Sequence, residues 1–352
     1  MESVTLDALD RRLVHALQLD GRLPFSRIAA AVGVPERTVA RRYHRLRSRL
    51  ALRVVGLVDG RRTGMLDWIV RVRCAPEAVE TLAVLLARRD DTSWIAPLVG
   101  GTELTCMIRT PPPGDDGRRP FFEQLARTAG VREVRAACVL RPVAGVGGWA
   151  GRMDALGEAE QCLLLPPRPA PTAPAHPADP TDQTEALPVL SPADSALLRA
   201  LAQDGRADLR QLASASGCSE STVRRRIGQL RDSGVLAFEV EIDPALFGYP
   251  IEALLWLDVP PAGLRTVAEG LAGHRQVAFA ALTTGPSSVF VMVECRSVSG
   301  LHAYVTDELA ALHGITRIES AVTQRRTKRA GPLPATLAEK RAGAPSGRAA
   351  AQ

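Results

Sequence analysis

The chain has 352 residues, 46% of them hydrophobic, and a formal net charge of +6, which predicts two to four domains of modest size rather than a single core. Its six cysteines stand singly and no histidine lies at zinc-ligand spacing, so we expect no metal site, disulfide framework or bound cofactor. No apolar stretch approaches a membrane span of roughly 20 residues and no signal peptide is recognisable, so we expect a soluble, cytoplasmic protein.

The chain repeats itself. Residues 13–52 align with residues 197–236 at a constant offset of 184 and without a gap. The matches include Asp20-Gly21-Arg22 with Asp204-Gly205-Arg206, and Thr38-Val39-x-Arg41-Arg42 with Thr222-Val223-x-Arg225-Arg226. A duplicated basic module of this kind predicts a pair of DNA-reading heads.

The first module begins with three predicted helices. Apolar residues at helical spacing predict a helix over residues 6–19. Ser26 is expected to cap a short second helix, Gly33 to make a tight turn, and Pro35 to open a third helix that ends near Arg49. This is the helix-turn-helix order.

A second kind of submodule follows the first head. Strands are predicted at residues 68–72 and 104–108, helices at 77–88 and 121–129, and a closing strand at 131–140. Strand, helix, strand, strand, helix, strand is the order of the ferredoxin-like fold, an antiparallel sheet with helices on one face.

The second half repeats both submodules. Ser191, Asp208 and Ser219 are predicted helix caps, and Gly234 ends the third helix before a strand at residues 235–241. In the first head, Leu50 occupies the position that Gly234 occupies in the second. The end of the third helix is therefore less clearly specified in the first head. The strands and helices that follow are predicted at residues 253–257, 264–271, 289–293, 301–312 and 315–323.

The predicted fold class is therefore α+β, with two copies of a winged-type helix-turn-helix head followed by a ferredoxin-like (βαββαβ) domain. The Pro/Ala-rich stretch between the halves is expected to be an extended, mobile tether, and the last residues a disordered tail. The predicted domains are residues 1–52 and 191–236 (heads), 53–150 and 237–329 (ferredoxin-like effector and oligomerisation domains), 151–190 (linker) and 330–352 (tail).

Each half resembles the Lrp/AsnC (feast/famine) family of bacterial transcriptional regulators, and two copies in one chain resemble its fused, double-module members. The first half carries Leu6-Asp7-x-x-Asp10, Leu17-x-x-Asp20-Gly21-Arg22, Ile28-Ala29, Gly33 and Arg41-Arg42-x-x-x-Leu46. The second half carries Leu201-x-x-Asp204-Gly205-Arg206, Leu212-Ala213, Gly217, Arg225-Arg226-x-x-x-Leu230 and Ser233-Gly234-Val235-Leu236.

Charge is concentrated in the first head. Residues 1–55 carry a net charge of +6, whereas residues 191–239 carry +1. The first head is therefore expected to supply more of the nonspecific affinity for phosphate. The predicted DNA-contacting residues are Arg37, Thr38, Arg41, Arg42 and Arg45 in the first head and Ser221, Thr222, Arg224 and Arg225 in the second. Val39, Leu46, Val223, Ile227 and Leu230 are assigned to packing.

The resemblance also implies an effector loop, which in the family usually reads Gly-x-x-Asp. Here the two loops read Gly100-Gly101-Thr102-Glu103 and Gly285-Pro286-Ser287-Ser288. Glu103 could form an ion pair with the amino group of an effector. Ser288 carries no charge and could not. The candidate effector-binding residues are Gly100, Gly101, Thr102, Glu103, Gly285, Ser287 and Ser288.

The predicted function is a sequence-specific transcriptional regulator, not an enzyme, whose partners are double-stranded DNA and an amino acid or another small-molecule effector. The two halves are expected to form an intramolecular pseudo-dimer that can assemble further into a homo-oligomer, with no membrane partner. Two alternatives stay open. One is a siroheme-decarboxylase-like tetrapyrrole enzyme that would use His274, His302 and His313, although no catalytic residue is assigned. The other is a nonspecific architectural DNA-binding protein.

Overall fold

A computed structural model describes residues 5–112, 121–145, 149–165, 190–324 and 326–333. These residues form two helical heads, a two-stranded antiparallel ribbon and an eight-stranded antiparallel sheet, and both halves of the chain contribute strands to the ribbon and to the sheet. None of the helices in these ranges has the length and apolar character needed to cross a membrane.

The first head consists of α1 (Ala8–Leu19), α2 (Phe25–Val32) and α3 (Glu36–Ser48). The expected cap at Ser26 is wrong, because α2 already begins at Phe25 and Pro24 is its N-cap residue, with a φ of -59°. Each of the three helices contributes buried apolar side chains to the core of the head, for example one residue from each helix. These core residues are Leu13, Ile28 and Leu46.

The second head consists of α7 (Pro192–Gln203), α8 (Leu209–Ser216) and α9 (Glu220–Asp232). Here all three predicted caps are confirmed, because each side chain accepts a backbone N–H in the first turn of its helix. The capping residues are Ser191, Asp208 and Ser219.

A two-stranded antiparallel ribbon joins the heads. It pairs β1 (Leu52–Val58) with β6 (Leu236–Ile242). Val55 lies opposite Glu239, and these two residues are equivalent under the 184-residue repeat. An approximate two-fold axis therefore passes between them, and the two halves of one chain pair as a pseudo-dimer.

Both halves continue into the predicted βαββαβ order, which is confirmed. The first half contributes β2 (Leu66–Cys74), α4 (Pro76–Ala87), β3 (Thr92–Pro97), β4 (Glu103–Thr110), α5 (Phe121–Ala126) and β5 (Val131–Ala144). The second half contributes β7 (Ile251–Asp258), α10 (Leu264–Gly273), β8 (Val277–Thr283), β9 (Val289–Cys295), α11 (Val298–Ala303) and β10 (Arg317–Val322).

These strands form one eight-stranded sheet in the order β10-β7-β9-β8-β5-β2-β4-β3. The long strand β5 pairs with β2 and, further along, with β8 of the other half. At the opposite end, the segment after β10 lies along β3: Ile95 N donates to Lys328 O at 2.9 Å and Val99 N donates to Val322 O at 3.0 Å. The two outer strands thus meet, and the sheet closes on itself.

The beginning of the predicted linker is not an extended tether, because α6 (Glu158–Leu164) packs against the first head. The backbone N–H of Leu156 donates to His15 Nδ1 at 3.0 Å, and Leu164 is fully buried in the core of the head. Leu164 therefore packs on partners that lie far away in the sequence, whereas the neighbouring Leu163 is exposed. Residues 166–189 of the predicted linker lie outside the described part of the chain.

The predicted tail also begins with ordered contacts. Gly331 N donates to Glu241 Oε1 at 2.6 Å, Arg53 Nη1 donates to Pro332 O at 3.0 Å, and Leu333 packs on the core beside α4. The segment after β10 thus contacts β3 of the sheet and then both strands of the ribbon. Residues 334–352 lie outside the described part of the chain.

A cavity of about 530 Å³ lies between the β1–β6 ribbon and the closed sheet. Glu239 and Val240 line it from the ribbon, and Ile69, Met107 and Phe290 line it from the sheet. The cavity is therefore bounded by both halves of the chain.

Candidate nucleic-acid interface

The N-terminal part of α3 presents two arginines to solvent. Arg37 and Arg41 are exposed and Thr38 is half-buried, whereas Val39 and Leu46 are buried on the opposite face. The assignment of Val39 and Leu46 to packing is thus confirmed. The geometry leaves the Arg37 and Arg41 guanidinium groups available to phosphate or to a base edge.

Arg42 and Arg45 are placed differently, because both pair with a carboxylate of α1. Asp10 is fully buried and accepts hydrogen bonds from Arg42 Nη1 at 3.0 Å and from Arg45 Nη2 at 2.6 Å. Arg42 also donates to Asp7 at 2.5 Å, and this bond raises the pKa of Arg42. These two arginines brace the third helix against the first.

The second head repeats this arrangement on α9. Arg226, the equivalent of Arg42, donates to both carboxylate oxygens of Asp194 at 2.5 and 2.8 Å. The hydrogen bond from Arg226 lowers the pKa of Asp194 to about 2. The ion pair between the first and third helices is therefore a property of both heads.

The outward face of α9 carries the other predicted residues. Ser221, Arg224 and Arg225 are exposed. Thr222 is half-buried, and its hydroxyl lies 2.9 Å from the Ser219 hydroxyl, so it takes part in the helix cap. Val223, Ile227 and Leu230 are buried, which confirms their assignment to packing.

The exposed faces of the two third helices differ. Arg224 stands at the position of Ala40, and Ser221 stands at the position of Arg37. Arg41 and Arg225 occupy equivalent positions, so one exposed arginine is kept and the other moves from the position of Arg37 to that of Ala40.

The heads are held together by two equivalent arginines in their turns. Arg22 donates to the carbonyl oxygens of Gly205 at 2.6 Å and Ala207 at 3.0 Å. Arg206 donates to those of Gly21 at 2.7 Å and Leu23 at 2.9 Å. Burial lowers the pKa of Arg22 and of Arg206, and four charge-assisted hydrogen bonds offset the loss of hydration.

A second reciprocal pair links each third helix to the opposite head. Arg47 Nη2 lies 2.7 Å from Asp204 Oδ2, and Arg231 Nη2 lies 2.9 Å from Asp20 Oδ2. Sequence reasoning missed these contacts. The signal was present in the repeat, because Arg47 is equivalent to Arg231 and Asp20 to Asp204.

The residues of the predicted effector loops have different surroundings in the two halves. Glu103 accepts hydrogen bonds from Arg71 Nε at 2.7 Å and Arg73 Nε at 2.9 Å, so its carboxylate is already engaged. Gly100 and Thr102 are exposed in the turn before it, and Gly101 has a φ of +68°.

In the second loop, Ser288 Oγ donates to the carbonyl of Val259 at 2.9 Å and accepts its N–H at the same distance. Gly285 is exposed with a φ of +96°. Ser287 lines a small cavity of about 110 Å³ on the seam between the halves. The structure thus does not bring the two loops together around one cavity.

The histidines considered for catalysis lie apart from the larger cavity. His274 Nδ1 is 3.1 Å from the Tyr304 hydroxyl, and His302 and His313 lie around the second half's helices. No histidine is among the described residues that line the 530 Å³ cavity.

Comparison with known proteins identifies the submodules. The AsnC-type helix-turn-helix domain model matches residues 6–47 and 190–231, and the Lrp/AsnC ligand binding domain model matches residues 252–333. An uncharacterized HTH-type transcriptional regulator of Pyrococcus abyssi is 33% identical over 134 residues, which cover 38% of this chain and 85% of the relative. HTH-type transcriptional regulator FL11 of Pyrococcus horikoshii is 28% identical over 146 residues, which cover 41% of this chain and 96% of the relative.

Among solved structures, the siroheme decarboxylase NirDL matches with a TM-score of 0.58 and 14% identity, covering 96% of this chain and 97% of its own. That likeness describes the shared fold. The Pyrococcus relatives are archaeal, so these comparisons do not support the expectation that the chain is a bacterial regulator. The duplicated AsnC-type heads and the relative that is 33% identical over most of its length show that this chain belongs to the Lrp/AsnC family of transcriptional regulators, in a form with two modules in one polypeptide.

Proposed function

We propose that the protein is a sequence-specific regulator that acts in the cytoplasm and binds double-stranded DNA through α3 and α9 together. One observation carries this proposal. The two heads are locked to each other by reciprocal arginines, while both third helices keep exposed arginines on the face away from the core. A rigid pair of basic helices related by an approximate two-fold axis is the arrangement with which helix-turn-helix dimers read two half-sites.

The difference between the exposed faces determines the kind of site. Arg37 and Arg41 face outward in the first head, and Arg224 and Arg225 in the second. Arg41 and Arg225 occupy equivalent positions, whereas Arg37 and Arg224 do not. Arginine recognises guanine bidentately in the major groove, so the displaced arginine would contact a different base pair in each half-site. We therefore expect an imperfect palindrome rather than two identical half-sites.

The test is selection of bound fragments from a genomic library by the purified full chain, followed by titration of the recovered site. Specific proteins bind their sites about 10³–10⁷-fold more tightly than random duplexes. We expect a recovered motif with two unequal halves and at least the lower end of that preference. Equal affinity for recovered and random duplexes at physiological salt would instead support an architectural DNA-binding protein.

A small-molecule effector and further assembly are part of the same proposal, because the match to the Lrp/AsnC ligand binding domain covers most of the second ferredoxin-like domain. The two effector loops differ in charge, which favours one responsive half over two equal ones. Titration of single amino acids against the DNA complex, with the mass of the complex followed by light scattering, tests both expectations.

The enzymatic alternative starts from the fold shared with siroheme decarboxylase NirDL, which has been solved in co-complex with an iron-uroporphyrin III analogue. In this chain the histidines considered for that chemistry do not line the central cavity. The retained pair of basic heads favours the regulator. A shift of the visible absorption bands on mixing the protein with iron-uroporphyrin III would favour the enzyme.

A further inference from the structure

The central cavity has the size and walls of a small-molecule site. Its volume of about 530 Å³ falls within the range of about 300–1,000 Å³ that is usual for such sites. Ile69, Leu254, Phe290 and Met292 are buried and form an apolar wall, and Trp94 and the indole of Trp149 add aromatic surface. A ligand with an apolar body would bury its apolar surface against these side chains.

The arginines that line the cavity are paired with carboxylates. Seven carboxylate side chains and five arginines line it. Three of the arginines pair within the lining: Arg109 with Asp67 at 2.7 Å, Arg61 with Asp59 at 2.9 Å, and Arg152 with Glu239 at 3.5 Å. The other two, Arg326 and Arg329, pair with Glu252 and Asp243. A ligand that carries several carboxylates would therefore meet no lining arginine without a carboxylate partner.

Glu294 is a buried carboxylate of this lining without a hydrogen-bond partner for one of its oxygens among the described residues. It lies on β9, is 2% exposed, and its Oε2 atom has no hydrogen-bond partner among the described residues. Burial raises the pKa of Glu294 well above its ordinary value, and the neighbouring carboxylate of Glu252 acts in the same direction. A buried acceptor without a partner is costly, so a donor group from a ligand would stabilise the site.

The arginine nearest in the fold does not supply that donor. Arg326 donates to Glu252 Oε2 at 2.7 Å and to the carbonyl of Trp94 at 3.1 Å. Arg152 likewise donates to the carbonyl of Val240 at 3.1 Å. Both guanidinium groups donate to other acceptors, although Arg152 Nε has no partner among the described residues. Neither arginine donates to Glu294, which lines the cavity.

We propose that this cavity binds an organic ligand with a primary ammonium group on an apolar body, and that Glu294 accepts a hydrogen bond from the ammonium group. A primary ammonium provides the positive charge that favours the ionised form of Glu294 over its protonated form, and it also provides the N–H donor that Oε2 lacks. A quaternary ammonium provides only the charge. The site is separate from the exposed faces of α3 and α9, so it goes beyond the proposed function. Loss of amine binding and loss of DNA binding can be measured independently.

The probe is dansylcadaverine, which combines a primary amine with a fluorescent apolar body. With the full chain we expect a saturable blue shift of dansyl emission and energy transfer from tryptophan, because Trp94 and Trp149 line the cavity. Glu294→Gln keeps the shape of the side chain and removes its charge, and we expect at least about tenfold weaker binding, as for the loss of one charge-assisted hydrogen bond. Glu80→Gln, on the exposed face of α4, is the matched control and is expected to bind like the wild type.

Two further dansyl compounds give the opposing outcomes. Neutral dansylamide is expected to bind more weakly than dansylcadaverine, and anionic dansylglycine more weakly still. Tighter binding of dansylglycine, or equal affinity of the Glu294→Gln variant for dansylcadaverine, overturns the proposal. If the variant fails to fold, the order of the three compounds on the wild-type chain decides the question.

Discussion

Leu50 and Gly234 occupy equivalent positions and adopt the same left-handed backbone conformation, with φ values of 54° and 68°. Each follows the third helix of its head and turns the chain into the ribbon. Glycine adopts this conformation without strain, whereas a residue with a Cβ atom pays about 1–2 kcal/mol. The same turn is therefore made in both halves, by a glycine in the second and by a leucine, which is strained there, in the first.

Leu50→Gly is expected to stabilise the protein, because the strain at this position is larger than the added freedom of glycine in the unfolded chain. The gain should be about 1 kcal/mol, which thermal unfolding of the full chain can detect. The Leu50 side chain is exposed, so little packing is lost. Leu50→Ala is the control and should bring no comparable gain. A lower melting temperature for Leu50→Gly would contradict the assigned strain.

Arg41→Ala and Arg42→Ala should separate DNA contact from bracing. Arg41 is exposed, so its removal is expected to weaken DNA binding by 1–3 kcal/mol, roughly five- to 150-fold, with little change in melting temperature. Removal of Arg42 takes one partner from the buried carboxylate of Asp10 and should lower stability by about 2 kcal/mol. Fluorescence anisotropy on the selected site and thermal unfolding measure the two effects. Equal losses of stability in both variants would contradict this division.

The reciprocal contacts of Arg22 and Arg206 predict non-additive mutants. Each alanine substitution leaves two carbonyl groups without their donor and should cost about 1–3 kcal/mol. Once one arginine is gone, the contact between the two turns loosens although the β1–β6 ribbon still joins the heads, so the second substitution should cost less than the first. A double-mutant cycle by denaturant unfolding measures the coupling, with Arg199→Ala as an exposed control. Strict additivity would show that the two arginines act independently.

Glu239 predicts a pH dependence of stability. Burial raises its pKa to about 7 from the ordinary value of 4.5, although Arg152 opposes the shift. The folded chain therefore holds this proton more tightly than the unfolded chain does. The stability that the protonated group contributes is fully present below pH 4.5 and is lost as the pH rises towards 7, by about 3 kcal/mol in total.

Glu239→Gln removes this titration while keeping the shape of the side chain. The melting temperature of the variant should therefore rise relative to that of the wild type between pH 4.5 and pH 7, and the difference should become constant above that range. Thermal unfolding across a pH series is the measurement, and Glu80→Gln serves as the exposed control. Parallel pH profiles for the wild type and Glu239→Gln would show that the carboxylate is not perturbed.

Most of the fold could be predicted from local signals in the sequence. The caps at Ser191, Asp208 and Ser219 depend on residues within one helical turn, and the order of strands and helices depends on short-range periodicity. The exception at Ser26 has a local cause as well, because Pro24 was available to begin the helix earlier.

The features that sequence reasoning missed depend on partners far along the chain. Glu160 of α6 pairs with Arg12, and Gly331 of the predicted tail is held by Glu241. Neither contact has a signature in the composition of its own segment. Which residues of the candidate interface are exposed was easier to predict than which of them form ion pairs. Arg41 and Arg42 are adjacent and alike in sequence, yet of these two only Arg42 pairs with a buried carboxylate.

The pairing of β1 with β6 inside one polypeptide has a consequence for concentration. In a dimer of separate chains, dilution releases the subunits, and mixed dimers compete with the intended pair. Here the partner is covalently attached and its effective concentration does not fall on dilution. A few molecules per cell would therefore suffice to keep two unlike DNA-reading surfaces side by side, and each surface could change its sequence without losing the other.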